Sequence, residues 1–391
     1  MMMDSEFPKK RRQYRSYSES DGQMLFLQIC SHDHKKKHLV VDYPSDQESS
    51  IRIFLKHHSC YDLIPTSSKL VVLDETLNVE KAFYALIVNS LRAGVLWSSI
   101  SQSYIGMLTI TDFIKILVYF YRPGNPIQEL GFHMISDWRQ ISSKDSPNNF
   151  ISISADCTLL EATIKLLRQK IHRLPVMNPM NGDVLHILSH KRILKYIMMN
   201  IKSLPNLDFL INKKLKDTQL GTFMPNCVTA HPRMLLIDAL KLFLQHRVSC
   251  LPVLEENTGK LVNIYTKFDV INLAINKSYT DLDVPLKTTL DSCHMNKSSV
   301  NHLIIATMDN SIMQVMRLLS DNDVHRILIV DQDLIFLGII SLSDILNFCL
   351  KPVNEISKPI TQIGRSFAFP QHRGSSSSSS YNQEPIFEMA E

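Results

Sequence analysis

Four times along the chain a basic residue is followed, about twenty positions later, by a residue placed to open a helix or to hold a sugar. Arg92 precedes Asp112, His172-Arg173 precedes Arg192, His246-Arg247 precedes Asp269, and His325-Arg326 precedes Asp344. Counted from the arginine, the intervals are 20, 19, 22 and 18, and Thr109, Ser189, Thr266 and Ser341 each lie three before the terminal residue. Guanidinium groups give planar, bidentate donors to phosphate. A carboxylate can accept two hydroxyl hydrogen bonds at once, which a ribose diol requires. Each feature also has a local explanation. A cation at a helix end gains about 0.3–1 kcal/mol from the macrodipole, and Asp is a favoured N-cap. For any single copy the local explanation is sufficient; fourfold recurrence ahead of an apolar strand is not accounted for by it. Arg192 breaks the pattern, because it has no acceptor and opposes the macrodipole. The spacing therefore predicts ribose acceptors at Asp112, Asp269 and Asp344, and none in the pocket served by Arg192.

The rest of the composition limits the chemistry. Only 11 of 391 residues are glycine, and neither a G-x-G-x-x-G nor a G-x-x-x-x-G-K-[ST] run occurs, so phosphate cannot be cradled by a glycine loop. The net charge of +4 is spread thinly, with balanced tails, and gives no basic stripe for nucleic acid. Lys9-Lys10-Arg11-Arg12 is a nuclear-import candidate that reads more simply as solvated tail. Seven cysteines without a C-x-x-C pair fit free thiols in a reducing compartment. No apolar run approaches membrane-spanning length, so no membrane partner and a cytoplasmic, with the basic run also a nuclear, location are expected. The His-Arg pairs are followed by Leu174, Val248 and Ile327 rather than Asp, and no D-F-G exists, so the chain is not itself a kinase. No nucleophile–base pair stands out, and His32, His34 and His38 enclose three lysines that would repel a metal. No catalytic residue, metal or cofactor is expected.

These residues require a repeated scaffold. Helical spacing runs over 78–91, 159–171, 234–245 and 312–321, and Val95–Trp97 and Ile105–Leu108, with their counterparts, read as short buried strands. The terminal residues recur at intervals of 80, 77 and 75. The expected fold is α+β, with four β-α-β-β-α repeats at 51–122, 123–202, 203–280 and 281–352, between disordered tails at 1–50 and 353–391, the second carrying Ser375 to Ser380. A unit of about 60 residues cannot bury its own sheet face, so the repeats must pair, giving two modules.

The repeat resembles the cystathionine-β-synthase (CBS) domain, which pairs into Bateman modules. Over roughly residues 55–350 it is similar to the gamma regulatory subunits of AMP-activated protein kinases. Cys60 to Leu70, Gly106 to Phe113, Lys170 to Val176, His190 to Lys195 and Lys267 to Leu273 carry that likeness. The resemblance implies a flat disc of four potential nucleotide pockets. Ribose would fall to Asp112, Asp269 and Asp344, and phosphates to Arg92, Lys170, His172, Arg173, Lys191, His246, Arg247, His325 and Arg326. Thr109, Thr111, Ser189, Thr222, Thr266, Ser341 and Ser343 would line the pockets. It further implies AMP, ADP and ATP as competing regulatory ligands, an alpha catalytic subunit and a beta scaffold subunit as partners, and β-pairing of the stretch before the first repeat with the beta subunit. Val95 stands where the family has proline, and residues 223–233 and 286–303, with Cys293 near an expected arginine, also depart. A scaffold with vestigial pockets is the alternative reading.

Overall fold

The computed structural model describes residues 48–124, 133–143, 150–271, 273, 281–295 and 303–352. Lys9 to Arg12, His32, His34, His38, Ser375 to Ser380, nearly all of both tails and the side chain of Cys293 lie outside what is described.

The chain begins with α1 (Ser50–His57), whose N-cap Ser49 is fully buried and donates its hydroxyl to the Cys349 carbonyl at 2.8 Å. The described residues thus start just inside the expected tail. Four units follow. The first is β1 (Val72–Asp74), α2 (Val79–Val88), β2 (Ala93–Ser98), β3 (Ser103–Thr109) and α3 (Ile110–Phe120). After α4 (Ile135–Ser143) comes the second: β4 (Ile153–Ser154), α5 (Leu159–Arg168), β5 (Arg173–Met177), β6 (Val184–Ser189) and α6 (His190–Asn200). Beyond α7 (Asp208–Asn212) and β7 (Thr222–Phe223), the third contains α8 (Leu236–Gln245), β8 (Cys250–Leu254) and β9 (Leu261–Thr266). After α9 (Leu286–Met295) the fourth closes with β10 (Ile305–Ala306), α10 (Ile312–Asp321), β11 (Arg326–Val330), β12 (Phe336–Ser341) and α11 (Leu342–Cys349).

Local chemistry sets these elements. Capping boxes start α5 through Thr158 and Glu161 and α10 through Ser311 and Gln314, each satisfying amides that the helix leaves open. Ile312, Met313, Val315, Met316 and Leu319 of α10 are buried at helical spacing. In each sheet the middle strand pairs parallel with the first and antiparallel with the third, as β2 does with β1 and β3. In the third unit the parallel partner shrinks to one bridge, Ala230 with Val253. Val95 has a visible effect on its edge. Its N–H donates to Val71 O at 2.9 Å, a bond that Pro175 and Pro252 cannot make at the matching positions.

Two apolar cores hold the units together, and each is shared by alternate repeats. Leu86, Leu96, Ile114 and Leu117 of the first pack in one cluster with Leu240, Phe243, Leu251 and Tyr265 of the third. Leu160, Leu166, Leu174 and Ile193 of the second pack with Ile312, Met316, Ile340 and Ile345 of the fourth. Consecutive repeats are joined differently, by exchange of the segments that precede them. Cys60 and Tyr61, ahead of the first repeat, donate their N–H groups to Cys157 and Ala155 beside the second. Ile135 and Ser136, ahead of the second, bond back to Leu77 and Glu75 of the first. Leu215 and Lys216 bond to Asn310 and Met308 of the fourth, while Leu236 of the third bonds to Val284, just before α9.

Candidate functional site

At the end of β3 the Thr109 N–H and hydroxyl both donate to Asp112 Oδ2, at 2.8 and 2.7 Å. Thr266 does the same to Asp269 Oδ2 at 2.8 and 2.7 Å, and Ser341 to Asp344 Oδ2 at 2.8 and 2.7 Å. This corrects the expected cap. Thr109 and Ser341 are the N-caps of α3 and α11, and the aspartates sit three residues later as the return arm of a capping box. A carboxylate has about four lone-pair positions. Two are used on Oδ2, and Oδ1 of each aspartate has no hydrogen bond among the described residues, so each retains capacity for two hydroxyl donors. All three carboxylates are half-buried. In the second repeat Ser189 is an N-cap without a side-chain cap bond, and Arg192 Nη1 donates instead to Leu63 O at 3.3 Å.

Near these junctions, cations from all four repeats act on one another. Burial and then Arg326 push the Arg92 guanidinium down, against Asp269 and Asp323, and Arg92 lies 4.3 Å from the Phe268 ring centroid. Burial, with Arg92 beside it, lowers Arg173 to about 10. Lys267 falls to about 8 through burial and Arg326, although Asp112 opposes the shift. His172, exposed as a whole residue, falls to about 4 through crowding by protein and then Arg173, Arg326 and Lys267. His325 is held at about 2 by burial, Arg92, Arg326, Lys191 and Arg173. One guanidinium nitrogen of Arg326, Nη1, is buried without a hydrogen-bond partner among the described residues. Lys191 pairs with the exposed Asp323. Such crowding of like charge is unfavourable on its own, and a multiply charged anion would relieve it while meeting the unpaired donor.

Three basic residues expected here lie elsewhere. Strand register shows why. Ala93 pairs with Thr109, Arg173 with Ser189, Cys250 with Thr266 and Arg326 with Ser341. The third-repeat counterpart of Arg173 and Arg326 is therefore Cys250, and His246-Arg247 falls three residues too early. His246 caps the end of α8, Arg247 follows with φ 53°, and both are exposed. Lys170 occupies the same left-handed position after α5, with φ 52°, and is exposed too. The 22-residue interval, longest of the four, was the available signal.

Among the lining residues, Thr111 is 3.3 Å from Lys267 Nζ, and Ser343 is half-buried in the first turn of α11. Thr222 lies on β7 opposite Ile339 of β12, reaching the fourth repeat rather than its own. Sequence reasoning did not select Lys267, His190 or Arg139. Lys267 stands one residue after Thr266, as Lys191 stands two after Ser189, and that basic recurrence could have revealed it. His190 is 4% exposed, lowered to about 4 by burial and His172, and its ring centroid is 5.7 Å from that of His172. Arg139 of α4 donates Nη2 to Ile105 O at 2.9 Å, packs on Gly106 and is acted on by Asp112. Nothing local in its sequence marks it, because it arrives with an exchanged segment. Among the described residues, no group of His, Cys, Asp and Glu could hold a metal, and no helix is long and apolar enough to cross a membrane.

The family model for the CBS domain matches residues 139–199, 220–276 and 295–351, which cover the second, third and fourth units. Three stretches of the chain thus match the CBS domain. The first unit lies outside those matches but has the same strand and helix order as the second. Over 294 residues the chain is 40% identical to 5'-AMP-activated protein kinase subunit gamma-3 of Homo sapiens, covering 75% of this chain and 59% of the human protein. The Sus scrofa counterpart is also 40% identical, covering 75% and 56%, so the chain spans under two thirds of the length of these relatives. The crystal structure of a Methanocaldococcus jannaschii protein, a candidate archaeal homologue of g-AMPK, aligns with TM-score 0.57 at 17% identity, over 74% of this chain and 99% of that one. That likeness concerns the fold.

Proposed function

We propose that this chain is a non-catalytic, adenine-nucleotide-sensing regulatory subunit of the kind its gamma-3 relatives are named for. One observation carries the reading. Cations from four repeats share a centre, and three carboxylates in one repeated geometry each keep an oxygen free for a diol. Phosphates at the centre and ribose at Asp112, Asp269 and Asp344 would satisfy both. AMP, ADP and ATP would compete, because all three present the same sugar and a 5'-phosphate chain of different length. A ligand that favours one conformation of an assembled kinase shifts its population by its differential affinity. The partners in this reading are an alpha catalytic subunit, whose activity and activation-segment phosphorylation would be controlled, and a beta scaffold subunit. The stretch before the first repeat, which ends ahead of β1, would meet the latter by β-pairing. The function requires no catalytic group or resident cofactor, and a cytoplasmic, with a nuclear, location accords with it. Purified chain should show AMP-dependent thermal stabilisation, and its complex AMP-dependent kinase activation. Absence of both would overturn the proposal. Asp269→Ala and Asp344→Ala separate it from a pure scaffold, which would assemble normally and lose nothing else.

A further inference from the structure

Two of the cysteines face each other across an exchanged segment. Cys60, ahead of the first repeat, donates its N–H to Cys157 O at 2.8 Å, and Leu159 donates its N–H back to His58 O at 2.8 Å. These two bonds flank the antiparallel bridge of Ser59 with Thr158. The next residues of that ladder, Cys60 and Cys157, therefore stand opposite one another, with their side chains on the same face. Opposed residues of an antiparallel pair joined by hydrogen bonding have Cα atoms about 5.5 Å apart. A disulfide requires roughly 4.4–6.8 Å. The Cys60 side chain also points the right way. Its Sγ is 3.7 Å from the Thr158 carbonyl oxygen, so it lies over the strand that carries Cys157. Neither cysteine is in a disulfide.

The two thiols differ in access. Cys60 is 0% exposed within the core shared by the second and fourth repeats, whereas Cys157 is half-buried at the margin of that core. Burial, then the Cys157 thiol, then Glu161 and Asp62 push the Cys60 thiol up to about 12. An oxidant therefore meets Cys157 first, and Cys60 stays shielded until its neighbour has reacted. The residues after Cys60 are also held on the second repeat. Leu63 O accepts from Arg192 Nη1 at 3.3 Å, and Ser68 Oγ is 2.7 Å from His186 Nδ1.

We propose that Cys60 and Cys157 are an oxidation site, closing a reversible disulfide within the chain that fastens the segment ahead of the first repeat to the second. The oxidant is a hydroperoxide, and the probe is hydrogen peroxide. The Cys157 thiolate attacks one peroxide oxygen, the O–O bond breaks, and the other oxygen leaves as hydroxide and is protonated to water. Cys157 is then a sulfenic acid. The Cys60 sulfur displaces its hydroxyl, which departs with the Cys60 proton as a second water. Two thiols have lost two electrons and one peroxide has gained them. Proximity offsets the small thiolate fraction of Cys60. The bond closes a loop that contains the whole first repeat, which restricts the unfolded chain. In a reducing compartment such a bond is transient, and an added thiol reverses it. The site stands apart from the nucleotide reading, since it uses neither the carboxylates nor the cationic centre.

The test is peptide mapping of the full-length chain after hydrogen peroxide, with and without dithiothreitol, beside its melting curve. Monomer should yield a Cys60–Cys157 linked peptide short of two hydrogens, with the melting temperature raised by about 5–10 °C. Dithiothreitol should abolish both. Cys157→Ser is a near-isosteric change at a half-buried position, so it should melt close to the untreated native chain and show neither effect. Cys60→Ala should leave Cys157 as a sulfenic acid that dimedone captures. Cys227→Ser should change nothing. Three results would overturn the inference. They are Cys60 recovered as a thiol after Cys157 has gone on to the sulfinic acid, linkage only between chains or through other cysteines, and a Cys157 thiol that peroxide leaves intact.

Discussion

Asp344 has two duties that substitution can separate. Its Oδ2 closes the Ser341 capping box at 2.7 and 2.8 Å, and its Oδ1 remains for a ligand. Asp344→Asn retains an acceptor for the cap but weakens a charge-assisted bond to a diol. AMP affinity should fall about tenfold in a binding titration, with the melting temperature nearly unchanged. The imidazoles make a pH prediction whose sign follows from their depression. In the unfolded chain His172 and His325 titrate near 6.5, whereas in the fold they are held to about 4 and about 2. Between those limits the unfolded state binds more protons, so the ligand-free chain should lose stability as pH falls from about 6.5 toward 4. A bound phosphate supplies the opposite charge and raises both values, so nucleotide affinity should increase over the same descent. Melting curves at pH 7 and pH 5.5, with and without AMP, check both directions, and replacing both histidines with Asn should flatten the ligand effect. At this scale the carboxylates and most of the cations were legible from type and spacing. The hydrogen-bond roles were not, because Thr109 and Asp112 can each cap a helix and only geometry shows that they do so jointly.

Strands and helices translate these residue roles into position. The four β-hairpins share one register, and that register decides which basic residue enters the centre. It admits Arg173 and Arg326 and leaves Arg247 in a left-handed turn outside. Sequence alone located the helices closely, as with α10 at Ile312–Asp321, since an amphipathic period is a local property. It misaligned the third repeat because a His-Arg pair looks the same at a helix cap as at a strand start. Two substitutions probe this level. Val95→Pro removes the 2.9 Å bond to Val71 O and should cost about 1 kcal/mol in denaturant unfolding, with nucleotide binding kept, because Pro175 and Pro252 already tolerate that loss. Gly338→Ala should be worse. A Cβ there would lie 2.4 Å from Phe223 Cδ1 and 2.6 Å from Thr222 O, so β7 must move or separate from β12. About 1–3 kcal/mol of destabilisation is expected, with a loss of nucleotide affinity that locates Thr222 at a site.

Across residues 48–352 the four repeats are interlocked in two ways. Exchanged leading segments join the first repeat to the second and the third to the fourth, while the apolar cores join the first to the third and the second to the fourth. Every repeat thereby touches two others through different chemistry, which places cations from all four within electrostatic reach of Arg326 and Arg92. That repeats must pair was legible from their size. Which ones share a core was not, because buried Leu and Ile faces carry no partner label, and Arg139 beside Asp112 shows how an exchanged segment brings a residue no motif announces. Scarce glycine fits this arrangement, since the anion is met by side chains converging from several units rather than by a backbone loop. Equilibrium dialysis of AMP against the purified protein, followed by displacement with ATP, addresses the account most directly. Up to three exchangeable AMP molecules per chain, each displaced by ATP and reduced by one in Asp344→Ala, is the predicted result. Four AMP molecules per chain, or no AMP bound, would contradict it.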